Sequence, residues 1–283
     1  MPTRREVIKR ITSRLTPLYG EREAQQIARI VICELGGLSF TDLTLSPDES
    51  LEIDTLESAI EELASGRPVQ YVLGHTEFCG LDFRVREGVL IPRPETEELV
   101  QWIVCGNHLP DPSILDVGTG SGAIAITLAH LLPVARVTAV DLSPQALTIA
   151  RENAQRLQTK VSFEEADALG ELFPGERGRF DLIISNPPYI PERERTLMRP
   201  NVTEHEPSLA LFVPDNDPLL FYRSIARNAR RLLRPEGSLY FEIHEDFAEE
   251  ISRMLVEEGF PTTEVRKDIN DKNRMTCSRL NRK

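Results

Sequence analysis

The sequence predicts an α/β protein: a mostly parallel sheet covered by helices on both faces, preceded by a small helical region. Three observations predict it. From residue 112 onward, short apolar runs with strand character alternate with amphipathic helical runs. Before residue 75 only the helical period appears. Between the first apolar run and its helix lies a glycine loop. The chain has 283 residues, long enough for one large domain or a core domain with a smaller companion.

The N-terminal region gives no strand signal. Val7, Ile8, Ile11 and Leu15 recur at helical spacing, as do Ile27, Ile30, Val31 and the run 33–35, and Gly36-Gly37 stops that second helix. Asp54-Thr-Leu-Glu57 reads as a capping box for a helix to about Ala64, broken by Ser65-Gly-Arg-Pro68. Residues 1–75 are expected to form a helical substrate-recognition domain. In 76–93, Phe78, Leu81, Phe83 and Val85 suggest a hairpin linker with turns at Gly80 and Glu87-Gly88. Ile91-Pro-Arg-Pro94 closes it, and Glu95 opens an amphipathic helix to about Val104. The remaining domain, 94–283, has expected strands at 113–117, 136–140, 161–166, 180–185, 238–243, 262–267 and 275–280. Its expected helices are 122–132, 144–157, 218–233 and 246–258. Residues 268–274 are too few for a helical crossover, so the last two strands should pair antiparallel.

Charge and composition exclude several functions. The 33 basic and 45 acidic residues give a net charge of −12. That argues against a protein that holds nucleic acid mainly by neutralising phosphates. Residues 1–75 share the balance, with 8 basic and 12 acidic. No apolar run is long enough to span a membrane, and the charged N-terminus resembles no secretory signal. Cys33, Cys79, Cys105 and Cys277 are scattered, so neither a metal site nor a disulfide framework is expected. Reduced thiols in a cytoplasm are the simple expectation.

Ile114-Leu-Asp-Val-Gly-Thr-Gly-Ser-Gly122 is a strand entering a glycine loop and then a helix. Gly118, Gly120 and Gly122, interleaved with Thr119 and Ser121, let the backbone turn tightly and approach a ligand. The helix N-terminus offers free N–H groups. Asp141 ends the next strand 21 residues after Gly120, where a carboxylate can accept the hydroxyls of an adenosine ribose. The pattern also satisfies the dinucleotide fingerprint through Ala123. Two features favour S-adenosylmethionine: the loop is GxGxG, and Asp116 stands inside the strand, where it suits the cofactor's ammonium group.

Asp181-Leu-Ile-Ile-Ser-Asn-Pro-Pro-Tyr189 is the second signal. An apolar strand ends at Asn186, Pro187, Pro188 and Tyr189, at the edge of the sheet where ligands bind. The Asn186 side-chain oxygen and the Pro187 carbonyl are two acceptors at fixed separation, able to take both hydrogens of a planar NH₂ group. That aims the nitrogen at an electrophilic methyl group, with proline rigidity supplying orientation. Tyr189 can cover the flat face of the acceptor.

At these residues the chain resembles the HemK/PrmC family, the N5-glutamine methyltransferases of peptide chain release factors. The resemblance covers nearly the whole chain. It includes Arg67-Pro-Val-Gln-Tyr-Val-Leu-Gly74, Glu77-Phe78, Gly80-Leu81, Leu90-Ile-Pro-Arg-Pro-Glu-Thr-Glu97, the glycine loop, Val140-Asp-Leu-Ser143, Ser185-Asn-Pro-Pro-Tyr-Ile190, Glu206-Pro-Ser-Leu-Ala-Leu211 and Arg266-Lys-Asp268. Asn-Pro-Pro-Tyr is shared with adenine-N6 methyltransferases, the alternative function. Ile-Pro-Arg-Pro-Glu-Thr-Glu before a glycine loop is far more specific.

The resemblance implies a Rossmann-like seven-stranded class I methyltransferase domain behind a small helical domain. It implies S-adenosylmethionine as donor, S-adenosylhomocysteine as product, and the glutamine of a Gly-Gly-Gln loop in release factors as acceptor. Neither a membrane nor sequence-specific nucleic acid is an expected partner. By the matching motifs Asp116, Gly118 to Gly122, Asp141, Asn186 and, near the adenine, Asp167 carry the cofactor. Asn186 to Tyr189 carry the glutamine, with Asn186, Pro187 and Tyr189 as the catalytic set. Two positions depart from the family: Ala168 replaces a larger side chain, and His244 stands where glycine is usual.

The remaining candidates have plainer readings. His205 and His244 read as polar loop residues, and Trp102 as packing. Arg93 and Glu95 either close over the cofactor or form local ion pairs. Residues 264–283 carry 7 basic and 3 acidic residues, a solvated edge by default.

Overall fold

The computed structural model describes residues 1–280. The chain forms two compact units: Met1–His75 with Arg199–His205, and Thr76–Met198 with the chain from Glu206 on.

The first unit is helical. Helix α1 (Arg4–Tyr19) starts from a capping box between Thr3 and Glu6. Gly20 separates it from α2 (Glu21–Gly36), which ends on left-handed Gly37. Val7, Ile11 and Leu15 of α1 bury against Ile27, Val31 and Ile32 of α2. Three shorter helices follow: α3 (Phe40–Leu45), α4 (Leu56–Ala64) and α5 (Val69–Leu73). The capping box expected at 54–57 does not form. Thr55 is already helical (φ −86°, ψ 0°) and makes no side-chain cap, while the Leu56 N–H is taken by the Ile53 carbonyl. Helices α3 and α5 escape sequence reading because six and five residues are too few to display a period.

The second unit begins within strand β1 (His75–Phe78), which is joined to β2 (Leu81–Arg84) through Cys79 and Gly80. Both turn residues have positive φ, 50° and 74°, as a two-residue hairpin requires. Phe78 and Phe83 are fully buried and meet edge to face at 6.0 Å. The stretch expected as a linker therefore packs into this unit's core.

Helix α6 (Pro94–Gly106), with proline in its first turn, leads into the alternating part. In order come β3 (Ser113–Val117), α7 (Ala123–Leu131), β4 (Arg136–Asp141), α8 (Pro144–Arg156), β5 (Val161–Glu165) and β6 (Phe180–Ser185). An excursion absent from the sequence reading follows: β7 (Ile190–Pro191), a 3₁₀ turn (Glu192–Leu197), α9 (Pro200–Thr203), α10 (Ser208–Leu211) and β8 (Phe212–Val213). The chain then forms α11 (Leu220–Leu232), β9 (Leu233–Glu242), a 3₁₀ turn (Glu245–Phe247), α12 (Ala248–Glu257), β10 (Thr262–Lys267) and β11 (Asn273–Arg279).

The main sheet has seven strands in the order β10-β11-β9-β6-β3-β4-β5. Strands β5, β4, β3, β6 and β9 are parallel, and the closing β10–β11–β9 pairs are antiparallel, as the short 268–274 connection requires. This is the Rossmann-like seven-stranded methyltransferase architecture. One face packs Ile114, Leu182, Ile184 and Tyr240 against Leu99, Ile103 and the apolar side of α7. The other packs Leu115, Ile183, Leu239 and Phe241 against α11 and α12.

Strand β9 starts earlier than expected. Leu233 already pairs with Phe180, and Ser238 next pairs with Leu182, so three extra residues bulge between them. Gly237 is needed there. A Cβ on it would stand 2.9 Å from the Arg234 carbonyl and 3.0 Å from that of Asp181.

Candidate active site

Strands β3 and β6 are sheet neighbours, while the chain after β3 runs to β4 on its other side. This is a topological switch point, where open α/β sheets bind ligands beyond the carboxyl ends of their strands. The two sequence motifs stand there side by side. The Ser185 hydroxyl donates to the Val117 carbonyl at 2.6 Å and ties the strand ends together.

The glycine loop is built by its backbone. Gly118, Gly120 and Gly122 have φ of 77°, 56° and 83°, in the left-handed region that favours glycine. The amides of Gly118 and Thr119 donate to Val140 O at 2.9 and 3.0 Å, binding the loop to β4. A Cβ at Gly118 or Gly120 would meet no atom within 4 Å, which leaves ligand space above the loop. At Gly122 it would stand 2.7 Å from Ile126 Cδ1 and 3.2 Å from Ala150 Cβ, so this glycine serves packing. Ser121 offers its carbonyl to Asn153 Nδ2 at 2.9 Å. Asn153 also clamps both the N–H and the carbonyl of Arg84, so one buried amide joins hairpin, loop and α8. No sequence signal singled it out.

Asp116 is fully buried. Its Oδ2 accepts the Thr119 hydroxyl at 2.7 Å, while Oδ1 is buried with no hydrogen bond. Burial pushes the carboxyl up to about 7; the Thr119 hydroxyl and the nearby Ala125 amide oppose the rise, and the Asp141 charge adds to it. An orphaned carboxylate oxygen is the chemical complement of an ammonium group, so the residues present fit S-adenosylmethionine.

Asp141 accepts the Gly120 amide on Oδ2 (2.8 Å) and the Ser143 amide on Oδ1 (2.9 Å). Burial raises its pKa, while these amides and that of Leu142 hold it down. A carboxylate has about four lone-pair directions, so acceptor capacity remains for ribose hydroxyls. Asp167 is exposed and caps the Leu169 amide at 2.8 Å. Beside it, the Ala168 carbonyl accepts the Ser224 hydroxyl at 2.7 Å.

Asn-Pro-Pro-Tyr is held by side chains from three other elements. Asn186 Nδ2 lies 3.3 Å from Thr96 Oγ1 on α6. That hydroxyl donates to Glu242 Oε2 on β9 at 2.6 Å, and the Tyr189 hydroxyl donates to Glu242 Oε1 at 3.0 Å. Arg274 on β11 faces the pair, and its Nε donates to Asp268 at 3.1 Å. Glu242 is buried. Burial raises its pKa, opposed by the two hydroxyls and Arg274, while Glu95 adds to the rise. Burial, with the Glu242 charge, also drives the Tyr189 phenol up, so it stays protonated as a donor. Thr96, Glu242 and Arg274 were all missed in the sequence reading. A lone carboxylate inside an apolar strand, the feature that singled out Asp116, was equally visible at Glu242.

The remaining candidates are placed as follows. Arg93 forms an ion pair with Glu206, a buried carboxylate that also accepts the Ile91 amide at 3.0 Å. His244 lies 3.1 Å from Glu194 and accepts the Asp246 amide on Nδ1. His205 belongs to the helical unit, its Nε2 buried without a hydrogen bond. Trp102 is buried edge-on against Tyr240 at 5.4 Å, with the Arg266 guanidinium 4.2 Å from its ring. Much of the basic C-terminal charge is paired locally: Lys267 with Asp271, Lys272 with Glu245 and Arg274 with Asp268. Arg282 and Lys283 lie outside the described residues. No cluster of potential metal ligands occurs among the described residues.

Comparison with known proteins shows the family. Residues 109–281 match the family described as a methyltransferase domain, and residues 6–74 the PrmC N-terminal domain. A release factor glutamine methyltransferase of Bacteroides thetaiotaomicron is 44% identical over 270 residues, covering 94% of this chain and 96% of its own. One from Flavobacterium psychrophilum is 42% identical, covering 92% and 93%. Among solved structures, a methyltransferase from Pyrococcus furiosus shares the fold (TM-score 0.53, 17% identity, covering 72% of this chain and 90% of that one). So does the 16S rRNA methyltransferase RsmC of T. thermophilus, solved with AdoMet and guanosine (TM-score 0.52, 18% identity, covering 73% and 49%). With relatives this similar along nearly its whole length, the chain belongs to the release factor glutamine methyltransferase family.

Proposed function

We infer that this chain methylates the side-chain amide nitrogen of a release-factor glutamine, the one in the Gly-Gly-Gln loop, with S-adenosylmethionine as donor. One observation carries the reading: an oriented amide acceptor, Asn186, stands beside the glycine loop, with the two strand ends tied by Ser185 and Val117. The adenine-N6 alternative has less support, because the chain's net charge is −12 and its relatives are named for glutamine.

Bound S-adenosylmethionine supplies an electrophilic methyl group. Asp141 would hold its adenosine end in the open space over Gly118 and Gly120, with Asp167 toward the adenine, and Asp116 its ammonium group. Asn186 Oδ1 and the Pro187 carbonyl accept the two hydrogens of the glutamine NH₂ and so fix the direction of the nitrogen lone pair. Pro188 stiffens the exit, and Tyr189, anchored by its hydroxyl, covers the acceptor's face. Among the described residues no donor is found on Asn186 Oδ1 or the Pro187 carbonyl. After attack the nitrogen gives up its proton to solvent, and no strong side-chain base is needed.

The helical unit is proposed to grip the release factor away from the glutamine, along a groove on α1 lined by Arg5, Ile8, Lys9 and Thr12. Arg5→Glu with Lys9→Glu should raise KM for whole release factor and leave KM for a short Gly-Gly-Gln peptide unchanged. A release-factor substrate supports a cytoplasmic activity. No described helix is long and apolar enough to cross a membrane. The function is tested by incubating the protein with labelled S-adenosylmethionine and either release factor or adenine-containing DNA. Label should appear on the glutamine, located by peptide mass spectrometry. Label on DNA alone would reverse the assignment.

A further inference from the structure

We propose that Glu242 is a positioning residue that fixes which end of the Asn186 amide faces the methyl acceptor. The proposal rests on the glutamine-amide reading above. Its logic is the direction of each hydrogen bond. Two hydroxyls donating to it and the facing Arg274 guanidinium favour Glu242 as a carboxylate, which only accepts. Oε2 takes the single hydrogen of the Thr96 hydroxyl (2.6 Å) and Oε1 that of the Tyr189 hydroxyl (3.0 Å). Thr96 Oγ1 is then left with lone pairs alone, so the Asn186 atom 3.3 Å away must be the NH₂ end. Oδ1 consequently points away from Thr96, free to accept an amide hydrogen of the substrate. The main chain at Glu242 is fixed as well, since the Tyr222 hydroxyl donates to its carbonyl at 3.1 Å.

Stability does not explain a carboxylate here. Burying one is costly, and a neutral glutamine of the same shape would fill the space with a smaller desolvation penalty. What glutamine cannot do is accept on both arms. Its NH₂ must face either Thr96 or Tyr189. Facing Thr96, it turns that hydroxyl toward Asn186, which then shows its own NH₂ to the substrate: two donors meet and the acceptor is lost. Facing Tyr189, it crowds an oxygen already beside the Arg274 guanidinium.

The test uses the full-length protein, with kcat and KM for release factor, calorimetric affinity for S-adenosylmethionine, and thermal midpoint. Wild type is assayed first; failure to methylate would reject the glutamine reading itself, separately from Glu242. Glu242→Gln should lower kcat at least about 10-fold, leave cofactor Kd within about 2-fold and not lower the thermal midpoint. Thr96→Val should show a similar loss, and Thr96→Ser, which keeps the hydroxyl, should recover most of it. In an Asn186→Ala background Glu242→Gln should cost nothing further, because the amide it orients is gone. Near-normal kcat in Glu242→Gln, or the same loss repeated in full in the Asn186→Ala background, would overturn the proposal. If Glu242→Gln does not fold, the Thr96 pair decides: equal kcat in Thr96→Val and Thr96→Ser would overturn it.

Discussion

The two halves of the site are made of different material. At the end of β3 the ligand surface is shaped by backbone: three glycines at positive φ, a loop tied down by two amides on Val140 O, and an open space over Gly118 and Gly120. At the end of β6 one of the two proposed acceptors, beside the Pro187 carbonyl, is a side chain, Asn186, whose direction is set through Thr96 and Glu242 from α6 and β9. A backbone cradle tolerates little substitution, and a single side chain, Asn153, braces it from α8. A side-chain acceptor is only as well aimed as the groups behind it. The first half suits binding a cofactor that recurs in every turnover; the second suits discriminating one small group on a large substrate.

The largest effect expected is that of Asn186→Ala. Loss of one of two amide acceptors lets the glutamine nitrogen swing from its line of attack, and a misplacement of about 1 Å can cost on the order of 10²-fold. kcat should fall at least that far, with cofactor affinity by calorimetry nearly unchanged. A comparable fall in cofactor affinity would break the division between the halves. Asn186→Asp keeps an acceptor oxygen and should retain more activity than alanine.

Asp141→Ala is the mirror test on the backbone side. It removes charge-assisted bonds worth about 1.5–3 kcal/mol each. Affinity for S-adenosylmethionine should weaken on the order of 10²-fold, while kcat at saturation changes far less. An unchanged dissociation constant would remove Asp141 from the cofactor site.

Gly122→Ala should cost about 2 kcal/mol of stability in denaturant unfolding. The new Cβ meets Ile126 and Ala150 while the residue is held at φ 83°. Gly118→Ala carries only the conformational part and should cost less. Equal losses would mean that the packing at Gly122 relaxes freely.

The remaining effect is the movement of a proton. With Asp116 pushed up to about 7, a cofactor ammonium group beside Oδ1 should drive it to ionise. Binding near pH 6 to 7 should then release a fraction of a proton, read by calorimetry in two buffers of different ionisation heat, and Asp116→Asn should abolish the release. Without ligand the native chain holds this proton over a range where the unfolded chain has lost it. Stability therefore declines as pH rises from about 4 to about 7 on this account, by up to roughly 4 kcal/mol, and Asp116→Asn should flatten that slope.

What could be read from the sequence follows the same divide. The glycine loop, Asp141 and Asn-Pro-Pro-Tyr were legible because local backbone geometry demands those residue types at adjacent positions. The alternating strands were legible because buried parallel strands read as apolar runs. Thr96 and Glu242 stand 146 residues apart and Arg93 and Glu206 113 apart; only the topology brings each pair together. Asn153 looks like any polar helix residue until three backbone groups are found on it. Strands β7 and β8, two residues each, have no period to detect.

The bulge before Ser238 decides which way Glu242 looks. Side chains alternate along a strand, so parity matters more than length. With three extra residues between the Leu233–Phe180 and Ser238–Leu182 pairs, Tyr240 and Glu242 fall on the face of α6, and Leu239 and Phe241 on the face of α11. An insertion or deletion of one residue at 234–237 that slipped β9 by a single place against β6 would exchange those faces. An insertion would carry Phe241, and a deletion Ile243, to Thr96, and either would bury the carboxylate among the apolar residues of α11 and α12. A two-residue change would restore the phase while shifting the strand along its neighbour. This surface turn, with no chemistry of its own, thus acts as the clutch between the sheet's alternation and the aim of the methyl-acceptor site.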